Sequence, residues 1–193
     1  MTIVFVRHAA TDANEVGRMA VGVPGPPLSA AGRSAATAKR AYWRAQLPPH
    51  EVFVSPAARA IQTADILFPE SESTIVSGFA EVDPGDWGRD DCSEGTHQHA
   101  SLLRDWEAGR NLNAAPPNGE SGDAVLRRLS EAVATLTACE GKRRIILISH
   151  FAVARMLLAH FLPDCEPPRR GFPALLDAFR LGRLENPTGL EPQ

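Results

Sequence analysis

Arg7-His8 closes the first apolar run, Thr2-Ile3-Val4-Phe5-Val6. Five apolar or β-prone residues read as a buried strand that ends in a fixed cation and an imidazole. Ligands in an open α/β sheet bind beyond the carboxyl ends of the strands, so this pair stands where chemistry is expected. Three further segments supply groups that match it. Arg59 lies in Ser55-Pro56-Ala57-Ala58-Arg59-Ala60-Ile61-Gln62-Thr63-Ala64, in the first turn of a helix that directly follows a strand. Glu81 lies in Phe79-Ala80-Glu81-Val82-Asp83-Pro84-Gly85-Asp86-Trp87-Gly88, and His150 closes a second apolar strand, Arg144-Ile145-Ile146-Leu147-Ile148-Ser149. Two arginines and two histidines at strand ends make an electropositive pocket. Arginine forks suit phosphate oxygens, which they hold by bidentate charge-assisted hydrogen bonds. The N-terminus of the helix after His150 adds backbone donors and a favourable dipole.

Each of these residues also has a plain reading. A strand-end histidine is commonly packed or hydrogen-bonded, Arg59 could be a solvated helix residue, and Glu81 an ordinary loop carboxylate with Asp83 or Asp86 as the acid. Thr11 stands between a phosphate contact and a loop hydrogen bond. His97-Gln98-His99 suggests metal, but residues two apart on a helix do not share a face and no cysteine pattern completes a site. These histidines read as surface or substrate-rim residues, and no metal is expected. Arg127-Arg128 and Lys142-Arg143-Arg144 read as solvated helix-end charges, and Arg169-Arg170 as a solvated loop.

The elements that must position these groups alternate in type. Strands are expected over 2–6, 51–54, 74–76 and 144–149, with another from 178 to 184. Ser29 is a suitable N-cap for a helix running to about residue 46. Pro56 suits the first turn of a helix over 57–67. Residues 82–96 read as a loop rich in Asp and Gly, 97–107 and 120–139 as helices, and 151–161 as a helix. In the 120–139 segment Val125, Leu129, Val133 and Leu136 form one apolar helical stripe. Alternating strands and helices define an α/β fold, a three-layer α/β/α sandwich with a mainly parallel central sheet. If the two His-terminated strands are neighbours, both imidazoles meet at one edge.

Bulk properties narrow the function classes. The chain has 193 residues, 44% hydrophobic and 22% charged, as an ordinary globular composition has. A single domain over residues 1–185 with a loose tail over 186–193 is expected. The net charge of −3 and pI near 6.1 argue against nucleic acid or an anionic membrane as partner, so anion binding must be local. No apolar run approaches the ~20 residues of a membrane span, and residues 1–6 lack the basic flank of a signal peptide. Three cysteines, Cys92, Cys139 and Cys165, fit free thiols in a reducing cytoplasm.

Taken together, the segments resemble the histidine phosphatase superfamily, the phosphoglycerate-mutase-like group. Arg7-His8-Ala9-Ala10-Thr11-Asp12-Ala13-Asn14 is similar to its opening Arg-His signature, and residues 55–64 to its second arginine motif. Glu81 with Gly85 and Trp87 resembles its proton-donor segment, Asn118-Gly119-Glu120-Ser121 its Gly-Glu-Ser helix start, and Ile148-Ser149-His150 its second histidine. Pro27-Leu28-Ser29 with Gly32 matches the intervening segment. The resemblance implies that His8 is the nucleophile and forms a phosphohistidine that water hydrolyses. It implies that Arg7, Arg59 and His150 clamp the phosphoryl oxygens, that Asn14 adds a contact, and that Glu81 is the general acid and base. Thr11 and Phe151 would complete the phosphate and substrate contacts, with no cofactor. The physics agrees: nearby arginines lower a histidine pKa, and partial burial near Trp87 would raise that of Glu81.

Some positions depart from the family pattern. Ala9 replaces the glycine that usually follows the first histidine, so the turn must tolerate a Cβ. Ala10 removes a polar side chain, Phe151 replaces the glycine after the second histidine, and Gly88 follows Trp87 with no intervening Glu. The expected function is hydrolysis of a small phosphomonoester. The alternatives are a phosphoglycerate mutase, which must keep water from its phosphohistidine, and a non-catalytic phospho-ligand binding or scaffold protein. A homodimer is left open. Only residues 82–119 are available as a lid, which favours hydrolysis.

Overall fold

The computed structural model describes residues 2–46, 51–88, 93–137, 144–162 and 178–181. Along these the order is β1 (Thr2–Arg7), α1 (Asp12–Glu15), α2 (Ala30–Gln46), β2 (Glu51–Val54), α3 (Ala58–Leu67), β3 (Ser73–Ile75), α4 (Ser93–Glu107), α5 (Gly122–Thr137), β4 (Arg144–Ser149), α6 (Phe151–Phe161) and β5 (Ala178–Leu181). Two short 3-10 turns, Ser77–Phe79 and Gly85–Gly88, flank Glu81.

The sheet runs in the order β3-β2-β4-β1-β5. Its first four strands are parallel, and β5 joins β1 antiparallel. Alternation along the strands divides the core in two, because successive side chains point to opposite faces. Ile3, Phe5, Phe53, Ile145 and Leu147 face one side, where they meet Leu103 and Trp106 of α4, the α5 stripe Val125, Leu129, Val133 and Leu136, and Val153 and Leu157 of α6. Val4, Val6, Val52, Val54, Ile146 and Ile148 face the other, against Ala36 and Trp43 of α2 and Ala60, Ala64 and Leu67 of α3. Each fully buried Leu, Ile or Phe of these layers contributes roughly 1.5–3 kcal/mol. The three-layer α/β architecture expected from the strand–helix alternation is the one observed.

The pairing that matters most is β1 with β4. Their parallel register sets Arg7 opposite Ser149, so the next residues, His8 and His150, emerge side by side at the carboxyl edge. The two His-terminated strands are thus neighbours. Ser29 caps α2 as expected, its Oγ accepting from the Gly32 N–H at 2.9 Å.

Local differences have local causes. α1 falls in a stretch that reads as loop. It forms because Thr11 and Asn14 build a reciprocal capping box, each side chain accepting from the other's backbone N–H. α4 begins at Ser93 rather than 97. Gly95 lies in its first turn, where a Cβ would come within 2.8 Å of the Trp87 carbonyl oxygen, so a glycine there lets the helix start against the preceding turn. α5 begins at Gly122, two residues late, because Ser121 takes the capping position and accepts from the Ala124 N–H at 3.3 Å. Among the described residues no helix is long and apolar enough to cross a membrane. Cys92, Cys139, Cys165, Lys142-Arg143, Arg169-Arg170 and the tail over 186–193 lie outside the described residues.

Candidate active site

His8 is 3% exposed and is fixed at two points. Its backbone N–H donates to the Ser149 carbonyl at 3.0 Å, which ties it to the end of β4. Its Nδ1 lies 2.7 Å from the Ala9 carbonyl oxygen. A carbonyl can only accept, so Nδ1 carries the proton and Nε2 keeps its lone pair. Burial first, then the charge of Arg59, drives the His8 pKa down to about 3; the Ala9 carbonyl opposes this and Arg7 adds to it. The imidazole is therefore neutral near pH 7, with one nitrogen ready to attack.

The Ala9 departure is accommodated without strain. Among the described non-glycine residues only Asn111 and Asn118 have positive φ, so Ala9 sits in ordinary backbone space. Its methyl is fully buried with Val6 and Leu28, and its N–H donates to Thr63 Oγ1 at 3.0 Å. The loop after His8 is thus pinned to α3.

Arg59, from the first turn of α3, is completely buried. One Nη1 bond reaches the Gly22 carbonyl at 3.4 Å, while Nε and Nη2 are buried with no hydrogen-bond partner. A buried guanidinium with unmet donors is costly, on the order of 1–3 kcal/mol for each unmade bond. These donors are available to an anion. Burial works against the charge on both Arg7 and Arg59, and the Glu81 carboxylate works for it. The plain reading of Arg59 as a solvated helix residue does not hold.

His150 is the N-cap of α6, fully buried, with its ring 5.1 Å from that of His8 in an edge-on contact. Its Nε2 lies 2.6 Å from Ser55 Oγ, which also accepts from the Ala57 N–H at 3.2 Å. Its Nδ1 is buried with no hydrogen-bond partner. Burial, followed by His8, Arg59, Arg128 and Arg7, holds the His150 pKa well below its ordinary value.

Glu81 reaches the same place from the opposite wall. Its Oε1 accepts from the Val82 N–H at 3.0 Å and its Oε2 from the Ala152 N–H of α6 at 3.4 Å. Burial pushes its pKa up, and the Val82 N–H, Arg59, the Ala152 N–H and Arg7 pull it back only in part. Glu81 lines a cavity of about 190 Å³ together with Arg7, His8, Asn14 and Phe151. Asp83 and Asp86 do not. Asp83 accepts from Gly85 N–H, and Asp86 from Asn118 Nδ2. Trp87, expected to help bury Glu81, is not on the cavity wall and packs against Gly95 instead.

The remaining expected residues divide. Asn14 lines the cavity, whereas Thr11 is fully buried and bonded to Asn14, so it holds Asn14 in place from behind. Phe151 lines the cavity, and its ring lies 5.1 Å from the Arg7 guanidinium and 5.5 Å from that of Arg155. Arg155 in turn is paired with Glu107 through both ends of its fork. Of the two rim histidines, His97 is exposed. His99 lines the cavity with Nε2 buried and without a partner. Among the described residues no group of three or more His, Cys, Asp or Glu side chains is placed to hold a metal ion.

Sequence reading missed four supporting residues. Ser55 and Thr63 bond His150 and Ala9, as described, and Ser149 Oγ donates to the Phe79 carbonyl at 2.8 Å. Arg128, expected to be solvated, is half-buried: its guanidinium pairs with Glu120 and donates to two carbonyls beside Glu81. Ser55 and Thr63 lie within a recognised motif, which was a signal. Arg128 gave none, because the carbonyls it grips are some 50 residues away.

Fold and site together set a neutral, buried histidine beside two arginines and a second histidine at the carboxyl edge of a parallel sheet. The chain belongs to the histidine phosphatase superfamily (branch 1), whose family model matches residues 3–174. With that membership it is a phosphoric monoester hydrolase of the phosphoglycerate-mutase-like kind. It is 29% identical over 168 residues to an adenosylcobalamin/alpha-ribazole phosphatase of Salmonella typhimurium, covering 84% of this chain and 80% of that one. It is 28% identical over 166 residues to a 6-phosphofructo-2-kinase/fructose-2,6-bisphosphatase of Caenorhabditis elegans, covering 83% of this chain and 34% of that one. A solved structure of a mycobacterial glucosyl-3-phosphoglycerate phosphatase complexed with VO3 superposes with a TM-score of 0.73 at 25% identity, covering 96% of this chain and 98% of that one.

Proposed function

We propose that the chain hydrolyses a small phosphomonoester through a phosphohistidine on His8. His8 Nε2 attacks phosphorus, the P–Nε2 bond forms and the ester P–O bond breaks. The Glu81 carboxyl gives its proton to the leaving alkoxide. Arg7, Arg59 and His150 hold the three transferring oxygens, where the charge is spread in the transition state. Asn14, steadied by Thr11, adds a polar contact, and Phe151 contacts the alcohol portion. The Glu81 carboxylate then takes a proton from water, whose oxygen attacks phosphorus as the P–N bond breaks. Phosphate leaves and both side chains are restored. The scheme assigns no step to a metal or cofactor.

One observation carries this reading. His8 has Nε2 free and neutral, beside Arg59 with two buried donors that no protein group satisfies. The cavity of about 190 Å³ is small against the ~300–1,000 Å³ typical of drug-sized sites. It fits a phosphoryl group and a compact alcohol, with any larger remainder projecting from the mouth. The named substrates of the relatives differ from one another and do not choose one here. A cytoplasmic setting belongs to the same reading and rests on the cysteine content.

The test is phosphate release from a panel of phosphomonoesters with chelator present, for the wild type and His8→Ala. Release that vanishes in the variant, with an acid-labile phosphoenzyme trapped in the wild type, supports the reading. Phosphoryl transfer to a second alcohol with little phosphate release would replace it with a mutase. A panel with neither release nor transfer would leave a phospho-ligand binding protein.

A further inference from the structure

Glu81 is carried by a short irregular segment, and something must hold its carboxyl to within a fraction of an ångström of a leaving oxygen. The backbone around it is anchored at successive residues. Arg128 Nη1 donates to the Gly78 carbonyl at 2.7 Å and to the Ala80 carbonyl at 2.9 Å. Ser149 Oγ takes the carbonyl between them, that of Phe79. On the far side of Glu81, the Asp83 N–H donates to Glu120 Oε2 at 3.0 Å and the Asp83 carbonyl accepts from the Glu120 N–H at 3.1 Å. Glu120 and Arg128 are themselves joined through both ends, Nε to Oε1 at 2.8 Å and Nη2 to Oε2 at 2.9 Å.

We infer that the Glu120–Arg128 pair is a clamp that positions Glu81 for proton delivery to the leaving group. The pair grips the chain at Gly78 and Ala80 before Glu81 and at Asp83 after it, without standing on the cavity wall. The Arg128 and Glu120 side chains are 19% and 26% exposed, against 64% and 32% for the surface pair Arg110–Asp105. Nε, Nη1 and Nη2 of the planar Arg128 fork all donate, making four bonds in fixed directions, a geometry an ammonium cannot supply. Neither residue touches the reacting atoms, so both are positioning residues. The inference rests on Glu81 being the acid.

A positioning role predicts a loss that depends on the leaving group. An alkyl alkoxide must be protonated as it departs, whereas p-nitrophenolate leaves without help. Arg128→Met is expected to lower kcat/KM for glycerol phosphate by about tenfold to a hundredfold, as a misplacement near 1 Å does. For p-nitrophenyl phosphate the loss stays within about threefold on the same scale. Glu120→Gln, which keeps bulk and most contacts, should show the same selective loss to a smaller degree, and Arg128→Lys, which keeps the charge but not the fork, a loss between the two, with melting temperature followed in parallel. Glu81→Gln sets the reference. If Glu81→Gln is selective and no clamp variant is, the clamp is overturned and the acid assignment stands. If Glu81→Gln is itself unselective, both are overturned. Equal losses on the two esters in the clamp variants would mean a structural role only, and would overturn the inference.

Discussion

The floor and the wall of this site are built differently. The floor holds Arg7, His8, Arg59 and His150, all projected from the ends of β1 and β4 and the start of α3. Register and burial fix these groups, and the buried polar atoms of Arg59 and His150 without partners belong to the buried layer of the sheet. The wall holds Glu81, His99 and Phe151, carried by the segment over 77–88, by α4 and by the first turn of α6. Only Phe151 stands on the end of a strand. Glu81 depends on bonds from side chains of distant residues, and α4 rests on a turn around Trp87. On the proposed function, the floor acts on what every phosphomonoester shares, and the wall on what distinguishes one alcohol from another.

Variants can break or sharpen that division. The largest effect is expected at the floor. His8→Ala should lower kcat by about 10⁴-fold or more on every ester, as loss of a covalent nucleophile does, measured by phosphate release. Glu81→Gln should cost about 10²–10⁴-fold on alkyl esters and far less on p-nitrophenyl phosphate, which marks it as a wall residue. Arg59→Met should cost about 10²–10³-fold on all esters alike. It should also raise stability by about 1–3 kcal/mol, since an apolar side chain removes the unmade bonds of a buried charge. Thermal unfolding checks this, and a fall in stability would show that Arg59 is satisfied in some other way.

The pH profile separates the same two regions. For kcat/KM on an alkyl ester, activity rises as His8 loses its proton near pH 3, because only the neutral ring attacks. It falls again as Glu81 loses its proton, at a pH above the ordinary carboxylate range, because burial raises that group. The alkaline limb should be absent in Glu81→Gln and weak on p-nitrophenyl phosphate. The smallest effect is expected at the rim. His99→Ala removes a buried, unpartnered ring nitrogen from the wall. It should raise KM a few-fold, about 1 kcal/mol, for alcohols that carry a hydrogen-bonding atom, with kcat little changed.

The floor was largely legible in the sequence. Two apolar runs that end in histidine, with an arginine before one and another arginine in the turn of a helix after a strand, are local signals. Parallel register converts them directly into neighbours. Ala9 and Phe151 were legible as departures, but their outcome was not. Whether a methyl fits after His8 depends on the space between β1 and α3, and whether Phe151 narrows the pocket depends on where the Arg7 and Arg155 guanidiniums lie. Arg128 shows the limit most clearly, since nothing in Arg127-Arg128 says that one is exposed and the other grips two carbonyls.

By itself, then, the sequence determined the alternation of strands and helices, the apolar stripes that give three layers, and the four chemical groups of the floor. These follow from periodicity and from residue type, which act over a few neighbours along the chain. Only the tertiary structure decided which histidine nitrogen is free, which carboxylate reaches the cavity, and what steadies it. Those outcomes depend on burial and on hydrogen bonds between residues 50 to 95 positions apart, such as Arg128 with Gly78 and Ser55 with His150. Such pairs meet only once the sheet has closed water out and brought the strand ends together.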